Sequence, residues 1–245
     1  MSPPNSSAPV TSSKLNKRAR RREDLLKVAA RVMNRAGTAA INPRDIGEEA
    51  GLSRNALYYY FPDRKSLTAA CYDRTMTARE HALDAARESS DDPLQQLQSF
   101  VRTLLDRNAV EEVVMNDLGL LNPADAESLN ARREQLFVAL EDTLTAGTAS
   151  GQFFPLDANV TARVLIGIID WTLLWSSYSG DEGAFLREGC DTICSWMSRG
   201  ALAKKHLVVD RIPNIDTILD APPNVMDSDA VSAHKRHRLL GAASA

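Results

Sequence analysis

The chain of 245 residues is long enough for one large domain or for a small domain joined to a larger one. Apolar side chains make up 44% of it and charged ones 25%, which is typical of a globular protein and excludes collagen-like, disulfide-scaffold and wholly disordered chains. The net charge of −3 is unevenly distributed, since residues 1–74 hold 14 Lys and Arg against 7 Asp and Glu. A basic N-terminal part indicates a polyanionic partner, although a solvated cluster of cations would give the same composition.

The composition also predicts the compartment. The first 13 residues contain no apolar core, so no secretory signal is expected. The most apolar run, residues 164–175, contains Asp170 and is shorter than the ~20 residues that span a bilayer. Three cysteines, an odd number without metal-ligand spacing, predict reduced thiols, no metal site and a cytoplasmic location.

Helical periodicity predicts an all-α fold of about nine helices between residues 21 and 205. Asn42-Pro43 combines an N-cap acceptor with a proline at the first helical position, and Gly51 ends the short helix that follows. After residue 206 the periodicity is lost, so residues 207–245 are expected to be a disordered extension. In chain order, the helices are predicted to begin near Arg21, Pro43, Ser53, Asp63, Pro93, Ala109, Pro123, Asp157 and Asp181.

The second and third helices, joined by a glycine turn, form a helix-turn-helix pattern. Such a pair alone is a weak signal, but residues 44–61 read RDIGEEAGLSRNALYYYF. This run resembles the DNA-binding signature of the TetR family of transcriptional regulators, and residues 25–30, Gly37 and Pro62-Asp63 also match in place. The resemblance implies a helix-turn-helix domain at 21–67 behind a flexible basic arm at 1–20. It further implies a ligand-binding and dimerisation domain at 68–206.

The residue types of the third helix suit contacts with a DNA major groove. Ser53 caps this helix, where exposed backbone N–H groups favour a phosphate. Arg54 suits guanine and Asn55 suits adenine, and Ala56 permits close approach. Three tyrosines follow within one turn and cannot all be buried, so their hydroxyls are available to DNA; packing with a solvated tip is the alternative.

Cations around this helix are predicted to contact phosphates, with those of the arm lying along the backbone or in the minor groove. A merely solvated tail is the alternative for the arm. The residues predicted to bind DNA are Arg18, Arg20, Arg21, Arg44, Ser53, Arg54, Asn55, Ala56, Tyr58, Tyr59, Tyr60, Arg64 and Lys65.

The helices after residue 93 are predicted to enclose a cavity for a small apolar or amphipathic molecule. Similarity to family members that respond to acyl-CoA is vague. Asp170 lies in an apolar helix, where it could bind the ligand, cap a backbone group or pair with Arg163. The candidate ligand-binding residues are Phe100, Leu104, Met115, Leu118, Phe137, Leu140, Asp170, Trp171 and Trp175.

The last two helices are broadly apolar and predict a helix-on-helix dimer interface, with burial inside one monomer as the alternative. Cys190 and Cys194, one turn apart, are predicted to fill the core rather than to form a redox pair. The candidate interface residues are Val164, Ile168, Phe185, Gly189, Ile193 and Trp196.

The resemblance therefore implies a homodimeric repressor that a small-molecule inducer releases from a palindromic double-stranded DNA operator. No phosphate-binding glycine loop, metal constellation or nucleophile elbow supports an enzyme, and no cofactor or membrane partner is predicted. The alternative function is that of a nucleoid-associated, architectural DNA-binding protein without a ligand.

Overall fold

The computed structural model describes residues 10–106 and 112–201, apart from the side chains of residues 10–15, 54–55 and 200–201. These ranges hold eight α-helices and no β-strand, so the prediction of an all-α fold is confirmed. The predicted extension at 207–245 lies outside the described residues. In chain order the helices are α1 (Val10–Ala36), α2 (Pro43–Glu49), α3 (Arg54–Tyr60), α4 (Arg64–Ser89), α5 (Pro93–Leu105), α6 (Pro123–Ala149), α7 (Ala158–Ser176) and α8 (Glu182–Trp196).

The helix starts predicted around the turn are confirmed by their capping contacts. The side chain of Asn42 accepts from the backbone N–H of Arg44 at 2.9 Å, and that of Ser53 accepts from the N–H of Ala56 at 3.3 Å. These bonds satisfy N–H groups that have no partner within their own helix. Gly51 has a φ of 65°, a left-handed conformation that glycine adopts without strain, and so permits the sharp turn between α2 and α3.

The first helix begins earlier than predicted. It starts at Val10, so residues 10–20 are helical and do not form the flexible arm expected from the sequence. The reason is local: no Gly or Pro occurs between Val10 and Ala36, and Lys and Arg are good helix formers. Residues 1–9 of the predicted arm lie outside the described residues.

The helix predicted near Ala109 is not present in residues 112–117, which have no regular secondary structure. Val113 and Val114 are β-branched and disfavour helix. The backbone of this segment instead bonds to side chains of other elements, with the N–H of Val113 donating to Thr75 Oγ1 at 3.0 Å. A single turn of 3₁₀ helix at residues 118–120 follows.

The long helix α4 lies at the centre of the fold. It packs against α1 on the DNA-binding side and against α5 and α6 in the rest of the chain, while α7 packs on α6 and α8 on α5. At 26 residues, α4 is roughly 39 Å long. It begins beside the helix-turn-helix and continues past the predicted domain boundary at residue 67, so one element belongs to both parts.

Candidate DNA interface and ligand cavity

The recognition helix α3 is fixed by its apolar face. Leu57 and Phe61, one turn apart, are both buried, and Ile46 of α2 is buried with them. The opposite face is therefore turned outward. Tyr59 is 64% exposed, whereas Tyr58 and Tyr60 are half-buried, so the three tyrosines do not share one environment.

The first turn of α3 contains the two predicted base-reading residues. The backbone of Arg54 and Asn55 is helical and directly follows the exposed cap Ser53, while their side chains lie outside what the structure describes. Ala56, next along the helix, is half-buried. The pairing of Arg54 with guanine and of Asn55 with adenine stays a prediction.

The basic end of α1 is attached to the helix-turn-helix by three arginines. The guanidinium of Arg18 lies over the Tyr59 ring at 4.9 Å, and that of Arg22 over the Phe61 ring at 5.1 Å. Arg21 Nη2 donates to the carbonyl of Ala50 at 3.2 Å, which satisfies an acceptor at the end of α2. The sequence alone did not indicate these contacts because each joins α1 to a residue far along the chain.

The remaining cations around the turn are placed differently from one another. Arg20 and Lys65 are exposed. Arg44 is exposed and pairs with Glu48 at 2.6 Å, and the hydrogen bond to this carboxylate raises the pKa of Arg44. Arg64 donates to the carbonyls of Thr38 and Ala39 at 3.2 and 2.6 Å, so this residue, predicted to bind a phosphate, also holds the turn after α1.

A cavity of about 350 Å³ lies between α4, α6 and α7. Its charged lining consists of three arginines, one from each helix, and one carboxylate. These are Arg79, Arg133, Arg163 and Asp170. The remaining lining is apolar and includes Met76, Met115, Leu136, Phe137, Ile166 and Gly167.

A buried ion cluster borders this cavity. Arg79 of α4 is 2% exposed; its Nε donates to Glu112 at 2.8 Å and its Nη2 to Asp170. Burial opposes the charge of Arg79, but the two carboxylates outweigh it and hold the pKa of this group above its usual value. Burial also raises the pKa of Glu112, although Arg79 counteracts it, and among the described residues Oε1 of Glu112 has no hydrogen-bond partner.

Sequence reasoning missed Arg79 and Glu112, although one signal was present. Arg79 follows Tyr72 and Met76 and precedes Leu83 at spacings of three and four, which places a charged residue on the buried face of α4. Asp170, an acidic residue in an apolar helix, is the corresponding signal for the partner of Arg79. The carboxylate of Asp170 pairs with Arg79, a partner that was not among the predicted alternatives, while Arg163 pairs with Glu134.

The structure places only three of the predicted ligand-binding residues at this cavity, namely Met115, Phe137 and Asp170. Phe100, Leu104 and Leu140 are fully buried in the core, because the apolar stripes of α5 and α6 pack against α4. Leu118 is half-buried outside the cavity lining, while Trp171 and Trp175 are exposed. The structure therefore does not bring these six residues to this cavity, and their contact with a ligand stays a prediction.

The exposed side of α7 is apolar and aromatic. Trp171 and Trp175 stack with ring centroids 6.2 Å apart, and Tyr178 meets Trp175 edge-on at 6.4 Å. Further exposed apolar side chains on α7 and α8 are Val160, Val164, Phe185 and Trp196. Exposed apolar surfaces of this kind occur where proteins contact other proteins, membranes or ligands.

The predicted interface residues divide into two groups. Val164, Phe185 and Trp196 are exposed and Ile168 is half-buried, so these four are accessible to a partner. Ile193, by contrast, is only 5% exposed. A Cβ on Gly189 would lie 2.6 Å from Thr172 Cγ2, so Gly189 serves the close approach of α8 to α7 within one chain. Gly189 and Ile193 face the body of their own chain, so the structure does not group them with the four accessible residues.

The extended segment at residues 112–117 links the cavity to the DNA-binding part. Its Met115 lines the cavity, and its Glu112 belongs to the ion cluster. Asn34, near the end of α1, donates to the carbonyl of Glu112 at 2.8 Å and accepts from the N–H of Val114 at 3.0 Å. One segment therefore contacts both the cavity and α1.

Helix α7 is long and apolar enough to cross a membrane when judged by length and composition alone. It buries Leu165, Ile169 and Leu173 within the fold, as the core helix of a globular domain does. Within the described ranges, no group of three or more His, Cys, Asp or Glu could hold a metal ion.

Two family models match the chain and together cover more than half of it. Residues 25–71 match the model described as bacterial regulatory proteins of the tetR family, and residues 90–184 match the tetracyclin repressor-like C-terminal domain. The fold defines a helix-turn-helix DNA-binding protein with a separate helical body. The chain belongs to the TetR family and is a transcriptional regulator with a DNA-binding fold.

Two individual relatives are only 24% identical to this chain. The nucleoid occlusion factor SlmA of Vibrio cholerae is 24% identical over 167 residues, which cover 64% of this chain and 84% of the relative. The HTH-type regulator YxaF of Bacillus subtilis is 24% identical over 170 residues, covering 67% and 89%.

Among solved structures, the ketosteroid transcriptional regulator KstR2 of Mycobacterium tuberculosis matches with a TM-score of 0.59 at 19% identity, covering 76% of this chain and 96% of that one. AibR in complex with isovaleryl coenzyme A and operator DNA matches with a TM-score of 0.58 at 18% identity, covering 71% and 96%. Both matches support the fold.

Proposed function

We propose that the protein is a homodimeric, sequence-specific repressor that binds a palindromic operator and is released from it by a small molecule. The observation that carries the proposal is the outward face of α3, where Ser53 and Tyr59 are exposed next to the basic end of α1. A helix presented in this way suits the major groove, and the neighbouring cations suit the phosphates. The proposed repressor acts in the cytoplasm and has no enzymatic activity.

The aromatic side of α7 and the exposed end of α8 support a homodimer. Trp171, Trp175 and Trp196 together expose a large apolar area in the isolated chain, and their burial against a second copy removes it from water. Two copies related by a twofold axis would present two α3 helices, which read half-sites about 34–36 Å apart.

The link from the cavity to α1 supports release by a ligand. A molecule that displaces Met115 or changes the pairing of Arg79 shifts the segment that Asn34 holds. Because Asn34 belongs to the DNA-binding part, such a shift changes the orientation of α3. A coupling of about 1–3 kcal/mol would lower operator affinity by roughly 5- to 150-fold.

The inducer that suits the cavity is a small apolar or amphipathic molecule. The structural neighbours AibR and KstR2 have names that mention isovaleryl coenzyme A and ketosteroid, which are different ligand classes. An acyl-CoA is therefore one candidate within a wider class. Mass spectrometry of small molecules that copurify with the native dimer is the direct route to its identity.

A nucleoid-associated DNA-binding protein is the second candidate function, and the similarity to SlmA of Vibrio cholerae favours it. Fluorescence anisotropy separates the two candidates by comparing the DNA upstream of the protein's own gene with a scrambled fragment of the same length. A repressor is expected to prefer the upstream fragment by at least 10³-fold in affinity at physiological salt. Equal affinities for the two fragments would contradict a sequence-specific repressor.

A further inference from the structure

The charges around the cavity between α4, α6 and α7 indicate which ligands it suits. Three guanidinium groups and one carboxylate line it. Arg79 pairs with both Asp170 and Glu112, so its charge is fully compensated within the ion cluster. Arg133 and Arg163 therefore decide what polar group a ligand can place there.

Arg133 has a donor that the protein does not use. Its Nη2 donates to Asn130 at 2.6 Å, but its Nε is buried and donates to no acceptor in the part of the chain that the structure describes. Buried donors are nearly always paired in folded proteins. An unpaired donor of a cation at a cavity wall is a position for an acceptor that arrives with a ligand.

Arg163 is held in place next to it. Its guanidinium lies over the Phe137 ring at 4.3 Å, and its Nη2 donates to Glu134 at 2.8 Å. The other carboxylate oxygen of Glu134 lies 4.0 Å from the Nε of Arg133. One partly exposed carboxylate therefore faces two guanidinium groups, and Glu141 adds a weaker attraction for Arg163 alone.

We propose that this cavity binds a small molecule with an apolar body and one anionic group, which Arg133 and Arg163 hold. The inference rests on the proposed function, since the bound molecule would be the inducer. The apolar body contacts Phe137, Met115 and Ile166. A volume of about 350 Å³ is at the lower end of the ~300–1,000 Å³ of ligand pockets, which selects a compact molecule. A cation is disfavoured because the guanidinium groups of Arg133 and Arg163 line the cavity and would repel it.

Four probes with the same eight-carbon chain test the charge requirement: octanoate, octyl phosphate, octan-1-ol and octylammonium. Their binding to the full-length dimer is measured by titration calorimetry. Both anions, or one of them, are expected to bind at least tenfold more tightly than the alcohol and the amine. The comparison of octanoate with octyl phosphate shows whether the anion is a carboxylate or a phosphate.

Two variants test the assigned residues. Arg133→Met and Arg163→Met keep the apolar stem of the side chain and remove the charge, and each is expected to weaken binding of the preferred anion at least tenfold. Arg187→Met is the matched control, since Arg187 is exposed on α8 and does not line this cavity. Circular dichroism spectra confirm that each variant is folded.

Three outcomes would overturn the inference: tighter binding of the alcohol or the amine, no binding of any probe, or anion binding that neither variant changes. Operator binding without any probe is measured on the same samples. Specific operator binding together with one of these three outcomes rejects the anionic ligand and leaves the repressor standing. Loss of sequence preference in the probe-free wild type rejects the repressor itself.

Discussion

At the scale of single residues, the buried cluster of Arg79, Glu112 and Asp170 places one cation between two carboxylates. Such a cluster is costly to remove from water, and breaking one partner of a buried pair costs about 3–5 kcal/mol. It joins α4, α7 and the extended segment at one point, next to the cavity. The cluster therefore serves to position these three elements rather than to add net stability.

Glu112 makes the stability of the protein sensitive to pH. Since burial raises the pKa of Glu112, the folded chain holds this proton above about pH 4.5, where the unfolded chain releases it. Stability from this group is therefore present at low pH and is lost as the pH rises through the raised pKa. Each unit of the shift corresponds to about 1.4 kcal/mol.

We expect the stability of Glu112→Gln relative to the wild type to be greater at pH 8 than at pH 4, because the glutamine has no charge to bury and the change starts near pH 4.5. Urea unfolding at the two pH values measures the difference. Glu188→Gln, on the exposed face of α8, is the control and should show no such change. A difference between Glu112→Gln and wild type that is the same at both pH values would contradict this account of Glu112.

Base reading and phosphate binding are assigned to different residues. Asn55→Ala is expected to reduce the preference for the operator over a variant operator by about 1–3 kcal/mol per half-site, because alanine cannot form the bidentate hydrogen bonds to the base. Arg20→Ala is expected to weaken binding to every sequence and to lower the log–log salt slope by about 0.9 for each phosphate that the variant no longer neutralises. Anisotropy titrations at several salt concentrations measure both. A change of base preference in Arg20→Ala with an unaltered salt slope would reverse the assignment.

At the scale of elements, two connections join the body to the DNA-binding part. Helix α4 runs continuously from the helix-turn-helix to the body, and the segment at 112–117 contacts both the cavity and α1. A continuous helix transmits tilt, whereas an extended segment held by side chains can be pulled from its contacts. A ligand that changes the pairing of Arg79 can act through either connection.

Asn34→Ala is expected to separate ligand binding from DNA binding. The variant loses its two bonds to the segment and should keep its operator affinity, while the reduction of that affinity by the inducer falls severalfold. Asn122→Ala is the control, because Asn122 is exposed before α6 and its side chain makes no capping bond. Operator affinity with and without the preferred eight-carbon probe is the measurement. Unchanged coupling in a folded Asn34→Ala variant would remove this segment from the mechanism.

A bulky residue in α4 tests the other connection. Ala82 is buried in the middle of this helix, so Ala82→Leu overpacks the body and shifts α4 without altering a DNA-contacting residue. We expect a changed response to the same probe at an operator affinity that stays within a few-fold of wild type. Ala85→Leu, at an exposed position on the same helix, is the control. An unchanged response would exclude α4 as the path.

The sequence predicts elements that depend on neighbouring residues better than elements that depend on residues far along the chain. Capping residues such as Ser53 and Asp63 act within one turn, so the helix starts around the DNA-binding motif were predicted correctly. The extended structure of residues 112–117 was not predicted, because Asn34 and Thr75, which lie far away along the chain, bond to the backbone of this segment. The cavity lining was mostly missed for the same reason, since periodicity identifies a buried face but not the neighbour that covers it.

At the scale of the whole molecule, the exposed aromatic side of α7 is the proposed interface of the homodimer. We expect Trp171→Glu to convert the dimer to monomer, because it would place a charge in an apolar contact. Light scattering after size exclusion measures the mass. Val138→Glu, at an exposed position on α6, is the control and should stay dimeric. A dimeric Trp171→Glu variant would move the interface away from this side of α7.

The central claim is that the protein recognises a small number of defined operators. The most direct test is capture of sheared genomic DNA from the source organism by the full-length protein, followed by sequencing of the bound fragments. The account predicts a few sites that share a palindrome with half-sites one helical turn apart, and their loss in Asn55→Ala. Even coverage of the genome without a shared palindrome would contradict it.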